Sequence, residues 1–318
     1  MTAAPEVSVV IPTRDRPERL AAALEALRRQ TIEPVRFEIV IVDDGSGEET
    51  GELLSRLPDD GLEVRVIRLS GNGPAAARNA GWRAARAAVV AFTDDDCEPT
   101  STWLEAVLRS ASAAPGAIVQ GATGPIPREA ELLRRPFTRT RSIEGPSPWF
   151  ATCNIAYPRE LLERLDGFDE LFPEALGEDT DLGWRALESG ARVEFVPDAV
   201  VHHAVEELGP RGYMRHALRG ADAVYAFRRH PGLRERTLRF GVFRNPSLAR
   251  MALALAGLAL ARKRPAASLL ALPYARNLLG RAMSTDAGPS LVPYLVAYDL
   301  VQAYTSLRGS IRHRTLVL

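Results

Sequence analysis

Three consecutive carboxylates, Asp94, Asp95 and Asp96, close the apolar run Val89-Val90-Ala91-Phe92. Like charges side by side repel, and a carboxylate taken out of water is costly. In an extended segment residues two apart point the same way, so Asp94 and Asp96 share a side. A hard divalent cation, which takes carboxylate oxygens, would offset their repulsion. A second acidic pair, Asp43-Asp44, ends another apolar run and leads into Gly45-Ser46. Such residues also build turns, and Ser46 with Glu49 is spaced to cap a following helix. A third cluster is Glu178-Asp179-Thr180-Asp181. Acids at a helix start stabilise its macrodipole, and a carboxylate can also act as a general base. His202 and His203 follow an apolar stretch, where a histidine is often a satisfied structural residue.

The segments around these residues read as alternating strands and helices. "VSVVIP" (7–12), "FEIVIVDDGS" (37–46), "LEVRVIRLS" (62–70) and "AVVAF" (88–92) are strand-like. "RDRPERLAAALEALRRQ" reads as a helix with Pro17 in its first turn, Asp15 and Glu18 as a capping box, and Leu20, Leu24 and Leu27 on one face. "ETGELLSRL", "GPAAARNAGWRAARA" from Pro74 and "TSTWLEAVLRSA" read as further helices. Near-continuous apolar strands alternating with helices predict a parallel α/β sheet covered on both faces. Ligands of open sheets bind at the carboxyl ends of strands. "PTRDR", Asp43-Asp44 and Asp94 to Asp96 all fall at such ends. Residues 125–148, rich in Pro and Arg, read as a long loop. A strand and helix return in "WFATCNIAYPRELLERLDGFDELF". A helix opens at "GEDTDLGWRALESGA", and one or two strands lie in "RVEFVPDAVVHHAV".

The 318 residues balance 40 basic against 40 acidic side chains, but unevenly. From residue 205 onward there are 18 Lys and Arg against 6 Asp and Glu, leaving 22 against 34 before it. The basic, helical C-terminal third therefore suggests an anionic partner (a membrane surface, a phosphorylated substrate or nucleic acid) or else a solvated Arg-rich surface. Its stretch "SLARMALALAGLALARKR" is apolar nearly all round, yet at about 15 residues too short to span a bilayer. The competing expectation is that this helix packs on the catalytic domain or forms a homodimer interface. Cys97 and Cys153 form no paired motif, which argues against a disulfide scaffold or zinc site. No apolar leader or uninterrupted apolar span of about 18 residues is present. The expectation is a cytoplasmic enzyme, peripheral on the inner face of the plasma membrane if the basic region docks.

Six stretches, "VSVVIPTRDRP", "IVIVDDGS", "AAARNAGW", "FTDDDCEP", "NIAYPRELLERLDGFDE" and "GEDTDLGWR", stand in the order found in family 2 glycosyltransferases, which the chain resembles over roughly residues 7–205. The resemblance implies a GT-A fold with a catalytic domain over 1–205, its nucleotide-sugar half at about 1–125 and its acceptor half at about 126–205. A basic helical extension follows over 206–318. It implies transfer of a sugar from a nucleotide-sugar donor, a UDP-sugar favoured, to an acceptor hydroxyl (of a glycan, lipid-linked or small molecule), with inversion and a divalent cation, Mn2+ or Mg2+. No nucleic-acid partner is expected. Asp94 and Asp96 match the DxD element and are expected on the metal or ribose, with Asp95 in donor binding. His203, preferred over His202, matches a histidine that completes the metal shell. Pro12, Thr13, Arg14, Asp43, Asp44 and Arg78 fall at donor positions, with Asp44 preferred over Asp43 for a nucleobase imide N–H, since a carboxylate only accepts. Asp179, with Glu178 second, matches the base that takes the acceptor proton, and Asp181 braces the helix start. The Gln-x-x-Arg-Trp motif of processive members is absent, and Asp166 replaces the usual first glycine of Gly-Gly-Phe-Asp-Glu.

Rival readings fare worse. Gly71-x-Gly73-x-x-Ala76 imitates a dinucleotide fingerprint, but two strands precede it and Pro74 removes an N–H that should meet a pyrophosphate. A sugar-nucleotide nucleotidyltransferase would carry a Gly- and Lys-bearing loop after the first strand, and "IPTRDRPERL" has neither. A non-catalytic carbohydrate-binding protein would not need the full set of acids.

Overall fold

The computed structural model describes residues 4–58, 61–172, 176–221 and 223–318. The chain divides into two compact units, one of residues 1–128 and 140–204, the other of 129–139 and 205–318. In the first, strands β1 (Val7–Thr13), β2 (Phe37–Asp43), β3 (Glu63–Arg68) and β4 (Val89–Phe92) alternate with helices α1 (Pro17–Arg28), α2 (Glu48–Ser55) and α3 (Pro74–Ala84). β1 pairs in parallel with β2 and β4, and β2 with β3. β2 is buried along its whole length and β1 nearly so, which explains their unbroken apolar sequences. Leu20, Leu24 and Leu27 of α1 pack into the same core as Ile39 and Ile41. α3 approaches the sheet closely because Gly81 has no side chain. A Cβ there would stand 2.3 Å from Val10 Cγ1 and 3.2 Å from Val42 Cγ2.

β5 (Cys97–Pro99), α4 (Trp103–Ala113) and β6 (Ile118–Pro125) follow, then, past the short β7 (Thr138–Arg139) of the second unit, β8 (Ile155–Pro158), α5 (Arg159–Leu165), α6 (Glu178–Glu188) and β9 (Val193–His203). The eight-stranded sheet has the order β3-β2-β1-β4-β8-β6-β9-β5. It is mixed: β8 runs antiparallel to β4 and β6, and β5 antiparallel to β9. Strands β5 and β6 are absent from the sequence reading. The expected loop over 125–148 is partly ordered, with 3-10 turns over Pro127–Arg134, β7, and a bridge from Ile143 to Thr123.

Two expected caps are not formed. The N-cap of α1 is Arg16 without a side-chain bond, and Asp15 has a φ of 54°. Asp15 instead accepts from the Gly47 N–H at 2.8 Å, while its own N–H donates to Ser46 Oγ at 2.9 Å. Ser46 therefore does not cap α2, whose N-cap is Gly47. The acid and the hydroxyl tie the loops after β1 and β2 together, because those loops leave adjacent parallel strands.

A buried carboxylate stabilises the far end of this sheet. Glu38 is fully buried and accepts from Ser8 Oγ at 2.7 Å, the Arg86 N–H at 2.6 Å and Arg86 Nε at 2.9 Å. Burial alone would push its carboxyl up, but these donors and the Arg86 and Arg65 guanidinia hold it below the ordinary 4.5. Glu38→Ala is expected to lower stability by about 2–4 kcal/mol, because buried donors lose their acceptor. A depressed pKa makes the wild-type advantage complete above the unfolded value and lost as pH falls through the folded one. The difference in denaturation midpoint between the two proteins should thus shrink below pH 4.5. A pH-independent difference would contradict this.

In the second unit β7 pairs with β10 (Glu206–Glu207), beside helices α7 (Gly209–Leu218), α8 (Ala223–Arg229), α9 (Pro231–Thr237), α10 (Pro246–Ala261), α11 (Leu272–Met283) and α12 (Val292–Arg312). Its interior holds a polar knot. Fully buried Asp299 accepts from Ser247 Oγ at 2.7 Å, Tyr274 OH at 3.1 Å and Arg281 Nη1 at 2.9 Å. Among the described residues, no helix is long and apolar enough to cross a membrane.

Candidate active site

The carboxyl ends of β2, β1 and β4 lie side by side, so the acidic clusters emerge on one edge of the sheet. Thr13, the last residue of β1, donates from Oγ1 to Asp95 Oδ2 at 2.8 Å. Arg16 Nη1 lies 3.3 Å from Asp95 Oδ1 and 2.9 Å from Asp96 Oδ2. Burial pushes the Asp95 carboxyl up to about 6; Arg16 works against this and Asp96 with it. Asp94 faces the opposite neighbour. Arg78, buried on α3, donates from Nη2 to Asp94 Oδ1 at 3.0 Å and from Nη1 to Glu178 Oε1 at 2.8 Å. One guanidinium thus joins an acid after β4 to an acid at the start of α6. Burial would raise the Asp94 carboxyl, but Arg78 holds it below its ordinary range. The Glu178 carboxyl goes the other way, up to about 7, through burial and the adjacent Asp179, with Arg78 opposing.

The antiparallel pairing of β5 with β9 sets Cys97 opposite His203 and Glu98 opposite His202. His203 Nε2 stands 3.7 Å from Asp96 Oδ1, and His203 Nδ1 lies 2.8 Å from the Ala204 carbonyl. With the proton on Nδ1 donated to that carbonyl, the Nε2 lone pair faces the acids, the tautomer a metal-ligating histidine adopts. One donor atom each from Asp94, Asp96, Cys97 and His203 lies within 4.8 Å of the others, and His202 is not part of this group. Burial pushes the Cys97 thiol well up, so it stays protonated and is a poor ligand for a hard cation. The remaining set, two carboxylates and an imidazole, fits Mn2+ or Mg2+.

Asp179 lies in the first turn of α6, near enough to Asp94 for the two charges to act on each other. Its Oδ1 accepts from the Thr180 N–H at 2.7 Å and from Thr180 Oγ1 at 3.3 Å, which leaves Oδ2 as the available oxygen. Burial raises the Asp179 carboxyl; Arg141, the Thr180 N–H and Arg78 oppose it. Asp181, fully buried, accepts from Arg185 Nε at 2.7 Å, and Arg185 also donates to the carbonyls of Leu165 and Gly167. It therefore braces the start of α6 against the turn after α5.

Direct contacts join Thr13, Asp95, Asp96 and His203 through Arg16 in one set and Arg78, Asp94 and Glu178 in another; the two meet where Asp94, Asp96 and His203 come within 4.8 Å, and Asp179 follows Glu178 in sequence. Other expected donor residues stand further along the same edge. Asp43 Oδ1 accepts from the Ser46 N–H at 2.9 Å. Asp44 accepts from the Asn72 N–H at 2.7 Å and the Gly73 N–H at 2.8 Å, so it clamps the turn before α3. Pro12 lies within β1 opposite Val42. Arg14 is exposed, its guanidinium close to Gly71. The sequence reading missed two arginines. Arg16 stood in "PTRDR" without a role. Arg141 acts electrostatically on both Asp94 and Asp179, yet nothing distinguishes it in sequence from Arg134, Arg135 or Arg139.

The family described as Glycosyl transferase family 2 matches residues 8–166, and Glycosyl transferase family group 2 matches residues 136–279. Glycosyltransferase AglE of Haloferax volcanii is 30% identical over 214 residues, 64% of this chain and 69% of that protein. Validoxylamine A glucosyltransferase of Streptomyces hygroscopicus subsp. limoneus is 32% identical over 216 residues, 57% of this chain but only 48% of its own length. Among solved structures, mannosyltransferase PcManGT from Pyrobaculum calidifontis, in complex with GDP-Man and Mn2+, superposes with a TM-score of 0.67 at 25% identity, covering 98% of this chain and 88% of that one.

Proposed function

The chain belongs to glycosyl transferase family 2, with a GT-A fold, and from that premise we propose that it moves a sugar from a nucleoside-diphosphate donor to an acceptor hydroxyl with inversion, using Mn2+ or Mg2+. The observation that carries this reading is the gathering of Asp94, Asp96 and His203 donor atoms within 4.8 Å. These three residues would hold the cation. Bound there, it supplies Lewis-acid neutralisation of the charge that grows on the departing diphosphate.

The chain's own residues do the rest. Asp43, which ends β2, and Asp44 after it lie on the same edge, and the free lone pairs of a carboxylate, Asp44 before Asp43, would accept an imide N–H of uracil, thymine or guanine alike. A UDP-sugar was expected from sequence; PcManGT holds GDP-Man, so a panel must decide. Asp95, fixed by Thr13 and Arg16, meets the donor's ribose or phosphate side. Arg16 and Arg141 add positive charge near the diphosphate. Asp179 Oδ2 takes the acceptor proton as its oxygen attacks the anomeric carbon, while Thr180 holds Oδ1 in place. Burial raises both carboxyls, and Asp179 is assigned the role because Arg78, which also holds Asp94, is bound to Glu178. The C–O bond to the diphosphate breaks on the opposite face, which inverts the anomeric carbon.

The test is incubation with UDP-, GDP- and dTDP-sugars, Mn2+ and a panel of hydroxyl acceptors, reading the product anomer by NMR. An α-linked donor yielding a β-linked product is expected. A product that keeps the donor's anomeric configuration would overturn the inverting mechanism.

A further inference from the structure

The second unit leaves an apolar surface that its own packing does not cover. α10 buries Leu248, Met251, Ala254 and Gly257, a stripe with helical spacing. The other side of the helix should then be polar, but positions 252–260 hold only Ala, Leu and Gly. Leu255, Leu258 and Leu260 are each more than half exposed. The segments packed against α10 add Leu269, Leu272 and Met283, exposed at 62%, 60% and 66%. Apolar exposure so concentrated marks an interaction site.

The charge on this segment narrows the partner. Residues 236–285 contain nine basic side chains and no acidic one. Arg262, Lys263 and Arg264 follow α10 directly and are exposed. On the same helices an open groove of about 1280 Å³ is lined by Arg250, Arg276 and Arg281 together with Leu272, Leu279 and Met283. Arginines beside leucines suit a ligand with an anionic head and an apolar body. A second copy of the chain suits it poorly, because a two-fold contact through this face would set Arg262, Lys263 and Arg264 against the same bases of the other copy. Among the described residues no helix crosses a bilayer, so the face would lie along a membrane rather than enter it.

We propose that the α10–α11 face docks on the surface of an anionic lipid bilayer. The leucines lie at the acyl boundary and Arg262, Lys263 and Arg264 among the headgroups. The attraction is confined to about a Debye length, so it weakens with salt. This proposal concerns a surface of the second unit and is independent of the transfer reaction.

The full chain is floated with vesicles of phosphatidylcholine alone or mixed with phosphatidylglycerol, at low and high salt. Binding is expected only with the mixed vesicles and should fall as salt rises. Replacing Arg262, Lys263 and Arg264 together by Ser should lower the partition coefficient on the order of a hundredfold. Leu255→Glu with Leu258→Glu should abolish binding, since it places charge in the acyl boundary. The triple variant changes only exposed side chains and keeps the test open if the double one fails to fold. No flotation with anionic vesicles at low salt, or flotation unchanged in the triple variant, overturns the proposal. So does a dimer in sedimentation velocity that the leucine substitutions dissociate while no vesicle binding is seen.

Discussion

Asp179→Asn should reduce kcat by ~10²–10⁴ while leaving nucleotide affinity within a few-fold of wild type. The amide keeps an oxygen for the Thr180 N–H and hydroxyl, so the start of α6 is preserved. What is lost is the second oxygen's ability to accept a proton. Single-turnover kinetics with the true acceptor, together with a nucleotide titration, separate chemistry from binding. Glu178→Gln provides the contrast. Its Oε1 accepts from Arg78, which also holds Asp94, so this change should disturb donor affinity as well as rate. If Asp179→Asn turned over like wild type and Glu178→Gln did not, the base would be Glu178.

The second large effect concerns the cation group. Asp96→Asn should weaken Mn2+-dependent nucleotide binding by ~10²-fold or more, since outer-shell changes alone cost 10–100-fold. Asp96 also receives Arg16 Nη1 at 2.9 Å, so the variant removes a carboxylate partner of that guanidinium. His203→Gln should have a smaller effect in the same direction. Cys97→Ser is the discriminating control. Its sulfur lies within the same group of atoms, but burial keeps the thiol protonated, so removing it should leave cation dependence unchanged. Loss of cation affinity in Cys97→Ser, measured by Mn2+ titration, would mean that sulfur is a ligand after all.

Much of the catalytic unit was legible in the sequence because β1, β2 and β4 are buried along most of their length. β1, β2 and β4 show as apolar runs, and their acidic ends follow from the rule that ligands bind at strand carboxyl ends. α1, α3 and α6 were legible from Leu spacing, Pro74 and the acids at 178–181. β6 was not, since its sequence Ile-Val-Gln-Gly-Ala-Thr-Gly-Pro neither alternates nor stays apolar, and its register comes from β9 some seventy residues on. β5 is three residues long and exists only because it pairs with β9. That long-range pairing is also what brings His203 rather than His202 to Asp96, which no local spacing encodes. Asp15 shows how local rules fail. Its spacing to Glu18 suits a cap, but the nearby loop after β2 offers a backbone N–H and a hydroxyl, and the chain takes a positive φ to reach them. Asp44 likewise clamps a turn that lies 28 residues away.

The central claim, that Asp94, Asp96 and His203 hold a divalent cation on which donor binding depends, is tested most directly by isothermal titration. UDP, GDP and dTDP are titrated into the wild-type chain with Mn2+ and, separately, with EDTA. The account predicts saturable binding of at least one nucleotide with Mn2+, a loss of tenfold or more in EDTA, and recovery when excess Mn2+ is restored. Equal affinity in EDTA and in Mn2+ would contradict it.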